Sequence, residues 1–340
     1  RYAPEPRLTF AQLTDAHLFD DDGGNQPWAG AYHLAADNWK ALHWSIDRIN
    51  ARASGGTGID FIVYTGDLGL QNIAFSDPKG CLVKAVRIQP GSPPTPEDSA
   101  SAELITELDR LTVRTIFFVS GSNDPGNEDP TGGRFDCFLL SLQERAQTLN
   151  RPLRIQKLGP DHCFALKGFH LLGLNSASLQ QGADDGALCP PRLRTGMFQE
   201  ALSGSSLPSD LGVLRELVNS GLPTLLFASA PELNRPLRRE PAWHLEANIR
   251  REWESEARRS NVLGIFAGQF PGSTRTPCGA SAGVRELAVN SAVVAKTYLA
   301  PPLAIEDQSG NPTTRRGFLL VTATRTGISS SEVQWLGRLR

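Results

Sequence analysis

The sequence predicts a layered α/β fold, and two observations carry that expectation. Short apolar runs of strand length alternate with longer segments whose apolar residues recur at helical spacing. Polar residues also follow directly on five of the short runs, and the carboxyl ends of strands are where open α/β sheets build their sites.

The runs that read as strands are 8–13 (LTFAQL), 60–65 (DFIVYT), 114–120 (RTIFFVS), 224–229 (TLLFAS) and 263–268 (LGIFAG). Between the third and fourth, 163–168 and 169–175 form an antiparallel hairpin around Lys167 and Gly168, alternating polar with apolar residues as a half-exposed pair should. Three more strands follow at 292–299, 317–324 and 331–336.

Helical spacing covers 35–52, where Trp39, Leu42, Ile46 and Ile49 share one stripe. The segments 103–111, 138–149 and 209–221 read the same way, the last with a Ser cap and a Gly stop. A strongly charged stretch, 243–260, reads as a surface helix. Residues 86–101 and 179–196 are rich in Pro, Ser and Gly and read as long loops. No internal repeat or domain boundary interrupts the 340 residues, so a single domain over 1–340 is expected.

Composition narrows the function classes. A net charge of −2 provides no basic field to attract nucleic acid or an anionic membrane. No apolar run approaches the roughly 20 residues of a membrane span. Five cysteines (Cys81, Cys137, Cys163, Cys189, Cys278) lack zinc-type pair spacing, and their odd number leaves at least one free or paired between molecules. A chain of this size does not depend on disulfide staples, so the cysteines are read as reduced or buried fillers. The chain starts at Arg1 rather than Met, which fits either a trimmed chain or a removed secretion signal; the latter would make it periplasmic or secreted.

The polar blocks at the strand ends carry the chemistry. Asp15 and His17 follow the first strand in TDAH, and Gly66 with Asp67 follow the second in YTGDLG. The third strand ends in VSGSNDPG (119–126), and the last two blocks are FASAPEL (227–233) and FAGQFPGS (266–273). There is no G-x-S-x-G elbow, no cysteine beside a strand-end histidine and no phosphate-binding glycine loop, so nucleophile and nucleotide-fold readings fail.

Five such blocks in this order resemble the calcineurin-like metallophosphoesterases. That family carries D-x-H, G-D, G-N-H-D, a His shortly before a Pro, and G-H-x-H, each after a strand. The core motifs span 8–273, and the C-terminal part, 285–340, is similar to that of some bacterial members and would complete the sandwich. The resemblance implies a four-layer α/β/β/α sandwich of the metallo-dependent phosphatase type, holding two metal ions. By position it makes Asp15, His17 and Asp67 matching metal ligands, with Asp67 the bridge between the two ions.

The departures are as informative. Ser122 stands where the ligand Asn belongs, with Asn123 at the family's catalytic His/Asn position. Ser229 replaces the lone His, two residues before Pro231, and Gln269 and Pro271 replace both histidines of G-H-x-H. A second register of the third block, Gly126-Asn127-Glu128-Asp129, fits less well because the strand ends at Ser120; in the first register Asp124 is oriented structurally rather than as a ligand.

Imidazole suits zinc, iron and manganese, whereas hydroxyl and amide oxygens suit harder ions and proline offers no side-chain ligand. The expectation is therefore a degenerate centre holding no metal or one weakly bound divalent ion (Mg, Mn, Zn or Ca), with weak or absent catalysis. The Asp15–His17 pair could equally settle into a hydrogen bond. The alternative is an active mononuclear phosphoesterase on Asp15, His17 and Asp67, with Glu232 or Asn234 completing the shell. The expected partner is a phosphate-containing small molecule or an unidentified protein. His43 and His170 lie outside the blocks and are expected to be structural, while Gln269 and Ser229 are either fillers of a collapsed site or contacts for another ligand.

Overall fold

A computed structural model describes residues 5–19, 35–56, 58–70, 73–74, 86–87, 100–121, 124, 133–159, 164–174, 221–229, 261–268, 283–289, 292–303 and 316–336. The first sheet contains β1 (Arg7–Leu13), β2 (Phe61–Thr65), β5 (Thr115–Val119), β6 (Arg154–Lys157), β13 (Gly317–Thr324) and β14 (Gly327–Trp335). Its order is β14-β13-β1-β2-β5-β6. The pairs β1–β2, β2–β5 and β5–β6 are parallel, while β13 and β14 join antiparallel.

The second sheet is built from β7 (Phe164–Leu166), β8 (Phe169–Leu174), β9 (Thr224–Ala228), β10 (Val262–Ala267), β11 (Gly283–Val289) and β12 (Ala292–Leu299). Its order is β11-β12-β10-β9-β8-β7, parallel across the middle and antiparallel at both edges. The β7–β8 hairpin turns at Lys167 and Gly168, both in the left-handed region (φ 49° and 81°), as a two-residue hairpin turn requires.

Strand alternation divides the buried residues between two cores. Leu8, Phe10, Phe61, Val63, Phe117, Leu319 and Val321 of the first sheet face Phe169, Leu171, Leu225, Phe227, Phe266 and Tyr298 across the gap between the sheets. The opposite face of the first sheet (Ala11, Leu13, Ile62, Tyr64, Ile116, Phe118) packs under α1 (Ala35–Ser54), α2 (Ala100–Leu108) and α3 (Gly133–Thr148). Leu42, Ile46 and Ile49 on the α1 stripe are fully buried there, and Trp39 packs against the same core.

On the second sheet, Leu172, Leu226 and Ile265 point away from the inter-sheet core, yet all three are fully buried. Its outer face is therefore covered as well. The expected helices at 209–221 and 243–260 fall outside the described residues, apart from Gly221, as does the loop at 179–196.

Two expectations are corrected, and two strands are added. The stretch 86–101 is not all loop: β4 (Val86–Arg87) pairs with β3 (Ile73–Ala74), and α2 already begins at Ala100. The strands β6 and β11 do not stand out as apolar runs, because they are edge strands carrying Arg154, Gln156, Lys157, Arg285 and Glu286. Cys137, buried in α3, is disulfide-bonded rather than a reduced filler; the other four cysteines lie outside the described residues.

Phe10 joins the sheets. Its ring stacks on Phe61 of its own sheet at 5.0 Å and meets Phe227 and Phe266 of the other edge-on at 5.3 and 4.9 Å. Phe10→Ala should destabilise the protein by about 3–5 kcal/mol, the usual cost of truncating a buried aromatic. Urea unfolding followed by circular dichroism measures this, and a loss below about 1 kcal/mol would show that the sheets do not depend on this contact.

Candidate metal centre

The loop after β1 and the loop after β2 run side by side. The Asp15 amide donates to the Gly66 carbonyl at 3.1 Å, the His17 amide to the Asp67 carbonyl at 3.0 Å, and the Leu18 amide to the Leu68 carbonyl at 2.9 Å. Because β1 and β2 are parallel neighbours, their carboxyl ends deliver these loops to the same edge of the sheet.

Asp15, His17 and Asp67 each offer one ligand atom, and those atoms all lie within 4.8 Å of one another. All three side chains are buried. Their backbones are also unusual: φ is 48° at Asp15, 44° at His17 and 57° at Asp67. A non-glycine residue in that region costs on the order of 1–3 kcal/mol, and such strain collects at functional sites when surrounding contacts enforce it.

The other strand ends close around this group. A Cβ added to Gly121, after β5, would lie 2.1 Å from Asp67 Oδ1, so only glycine permits that approach. A Cβ on Gly268, after β10, would lie 1.8 Å from Thr14 Oγ1 and 2.7 Å from Asp15 Oδ2. Ser229, after β9, abuts Gly66: its Oγ lies 2.7 Å from where a Gly66 Cβ would stand. That hydroxyl is fully buried and has no hydrogen-bond partner among the described residues.

Of the positions singled out in the sequence, Asp15, His17, Asp67 and Ser229 therefore meet at one sheet edge. Ser122, Asn123, Gln269 and Pro271 lie outside the described residues, as do Glu232, Asn234 and the alternative register at 126–129. Gly121 and Gly268, the neighbours of Ser122 and Gln269, border the group. His43 is an exposed residue of α1 that pairs with Glu107 and Asp47, and His170 lies in β8, its pKa lowered by burial.

Several supporting residues escaped the motif reading. The Thr14 hydroxyl donates to Asp15 Oδ2 at 2.5 Å and lies 2.9 Å from the Thr65 carbonyl oxygen. Asn38 of α1 donates to the His17 carbonyl at 3.2 Å. Asn38 sits four residues before Leu42, a polar residue in line with a buried stripe, and that was the available signal. Asp124, which the third block did single out as structural, is fully buried and accepts the amides of Asp67, Leu68 and Gly121.

The electrostatics are those of a buried acidic cluster. Burial, then the Asp67 charge, push the Asp124 carboxyl up to about 7, against the Gly121 and Leu68 amides and His17, which pull it down. Burial holds the Tyr64 phenol well above its usual range, and the charges of Asp124, Asp15 and Asp67 add to the effect. Carboxylates taken out of water are costly unless a positive partner compensates them. Two carboxylates, one imidazole and an orphaned hydroxyl are a donor set that fits a divalent cation.

No protein-family model matches the chain, and no curated protein matches it in sequence. Solved structures do. A dimetal phosphatase from Danio rerio superposes with a TM-score of 0.50 at 14% identity, over 97% of this chain and 99% of that one. PhoD superposes with a TM-score of 0.49 at 14% identity, over 98% of this chain and 69% of that one. The first reaches one half, and at that identity it speaks to architecture alone. With two stacked mixed sheets, helices over the first and the site at their shared edge, the chain has the metallo-dependent phosphatase fold.

Proposed function

We propose that this chain is a metallophosphoesterase-type protein whose two-metal centre has been reduced to a single weak divalent-cation site, with little or no phosphoester hydrolysis. The observation that carries the reading is the buried convergence of Asp15, His17 and Asp67 beside Ser229, where the resembled family has a histidine. Asp15, His17 and Asp67 would hold the ion, and the Ser229 hydroxyl is a further oxygen donor at its margin. A pair of ions about 3.5–4 Å apart clamps both the attacking and the leaving oxygen in this chemistry, and one ion cannot do both.

The ligand class follows from charge. Without a cation, the carboxylates of Asp15, Asp67 and Asp124 present a negative field to any phosphate ester. A phosphate-containing small molecule is accordingly the proposed ligand, and it should bind only once the cation is in place.

Calorimetric titration with Mn²⁺ tests this. The expected result is one ion per chain, with Asp67→Asn weakening binding at least about tenfold. Inorganic phosphate should bind in Mn²⁺ and not in chelator. Two ions per chain, or rapid hydrolysis of a generic phosphodiester, would replace this reading with that of an active enzyme.

A second test adds a methyl group rather than removing a ligand. In Gly121→Ala the new Cβ would collide with Asp67 Oδ1 and the Asp67 amide nitrogen. Mn²⁺ binding should fall by at least about tenfold, and an unchanged affinity would show that Asp67 does not hold the ion.

A third restores what is missing. The variant Ser122→Asn, Ser229→His, Gln269→His and Pro271→His returns every ligand of the resembled family. It should bind Mn²⁺ or Zn²⁺ much more tightly than the parent and gain measurable phosphodiesterase activity. No gain in metal binding would mean that the backbone at these positions has left the family geometry, which Pro271, with its fixed φ, would favour.

A further inference from the structure

We infer that Asp124 is a positioning residue that sets the backbone of all three candidate ligands from outside the group, through two consecutive peptide planes. Its carboxylate is fully buried, with Oδ2 accepting the Asp67 amide at 3.0 Å and the Gly121 amide at 2.8 Å, and Oδ1 accepting the Leu68 amide at 2.7 Å. One side chain thus ties the loop after β2 to the loop after β5.

The far side of the same peptides completes the relay. The Gly66–Asp67 peptide donates its N–H to Asp124 and accepts the Asp15 amide on its carbonyl. The Asp67–Leu68 peptide donates its N–H to Asp124 and accepts the His17 amide. Turning either plane would break a bond on each side at once. The orientation that Asp124 imposes on these planes is therefore what Asp15 and His17 dock against, and it holds Asp67 at φ 57°. Hydrogen bonds in such a chain also polarise one another.

The relay needs an acceptor-only group. An asparagine offers one carbonyl oxygen, and its amide would point an N–H at an N–H. The geometry stands whether or not a cation binds; only its consequence for affinity rests on the proposed function.

Amide hydrogen exchange, read by NMR on the metal-free protein, tests the relay directly. In the parent, Asp15, His17, Asp67, Leu68 and Gly121 should share one protection level because they open together. In Asp124→Asn, all five should exchange at least about tenfold faster, while β1 and β13 keep their protection. Asp124→Ala removes the acceptors without adding a donor and should behave likewise, and if neither variant folds the parent pattern alone decides. Asp15 and His17 keeping their protection while Asp67 and Leu68 lose theirs would overturn the inference. So would equal acceleration across the whole first sheet, which marks a merely structural role.

Mn²⁺ affinity gives a separate readout: Asp124→Asn should weaken it by about 10–100-fold, as loss of an outer-shell partner does. A parent that binds no Mn²⁺ would sink the proposed function and leave the exchange pattern to judge the relay.

Discussion

The contact on which the site depends lies away from it, in the aromatic interlock around Phe10. Asp15, His17 and Asp67 follow strands of the first sheet and Ser229 follows one of the second, so bringing Ser229 to the group requires the sheets to sit at one fixed offset. Phe10 and Phe61 on one side, with Phe227 and Phe266 on the other, set that offset through stacked and edge-on contacts with ring centroids 4.9–6.2 Å apart. Interiors packed at crystalline density slide poorly, and a ring that fills a hole on the facing sheet fixes position as well as supplying burial. Each of these phenylalanines lies on a strand whose next loop reaches the site, so the register of the core is passed on within a few residues.

At the edge the problem changes from packing to charge. Asp15, Asp67 and Asp124 are buried together, and the backbone at Asp15, His17 and Asp67 is held in the left-handed region. Neither feature favours folding. Both are what a site looks like when its geometry is kept for a ligand and the cost is met by the rest of the fold. A divalent cation would offset the repulsion, and the Ser229 hydroxyl, buried without a partner among the described residues, is a second polar group that gains from an ion.

The sequence made the central strands legible because β1, β2, β5, β9 and β10 are buried on both faces and read as largely apolar runs. Asp15, His17 and Asp67 were legible for the same reason: each follows such a run directly. The edge strands β6 and β11 were not, since edges carry charge to avoid pairing with other chains and lose the apolar signature. The disulfide at Cys137 was also hidden, because spacing does not reveal pairing and chain length argued against needing one. Thr14 acts on the site through a hydrogen bond to Asp15, and nothing in its residue type separates such a contact from a surface side chain.

On the proposed reading, the side chains that hold ions and those that hold the backbone are different residues. Asp124 satisfies three buried amides, and losing it would leave donors unpaired in the interior, an expense of about 1–3 kcal/mol for each. The same holds for Gly121 and Gly268, where any side chain would strike Asp67 or Thr14. The convergence of Asp15, His17 and Asp67 is thereby held by backbone hydrogen bonds and close glycine contacts, which fold the chain whether or not an ion is present.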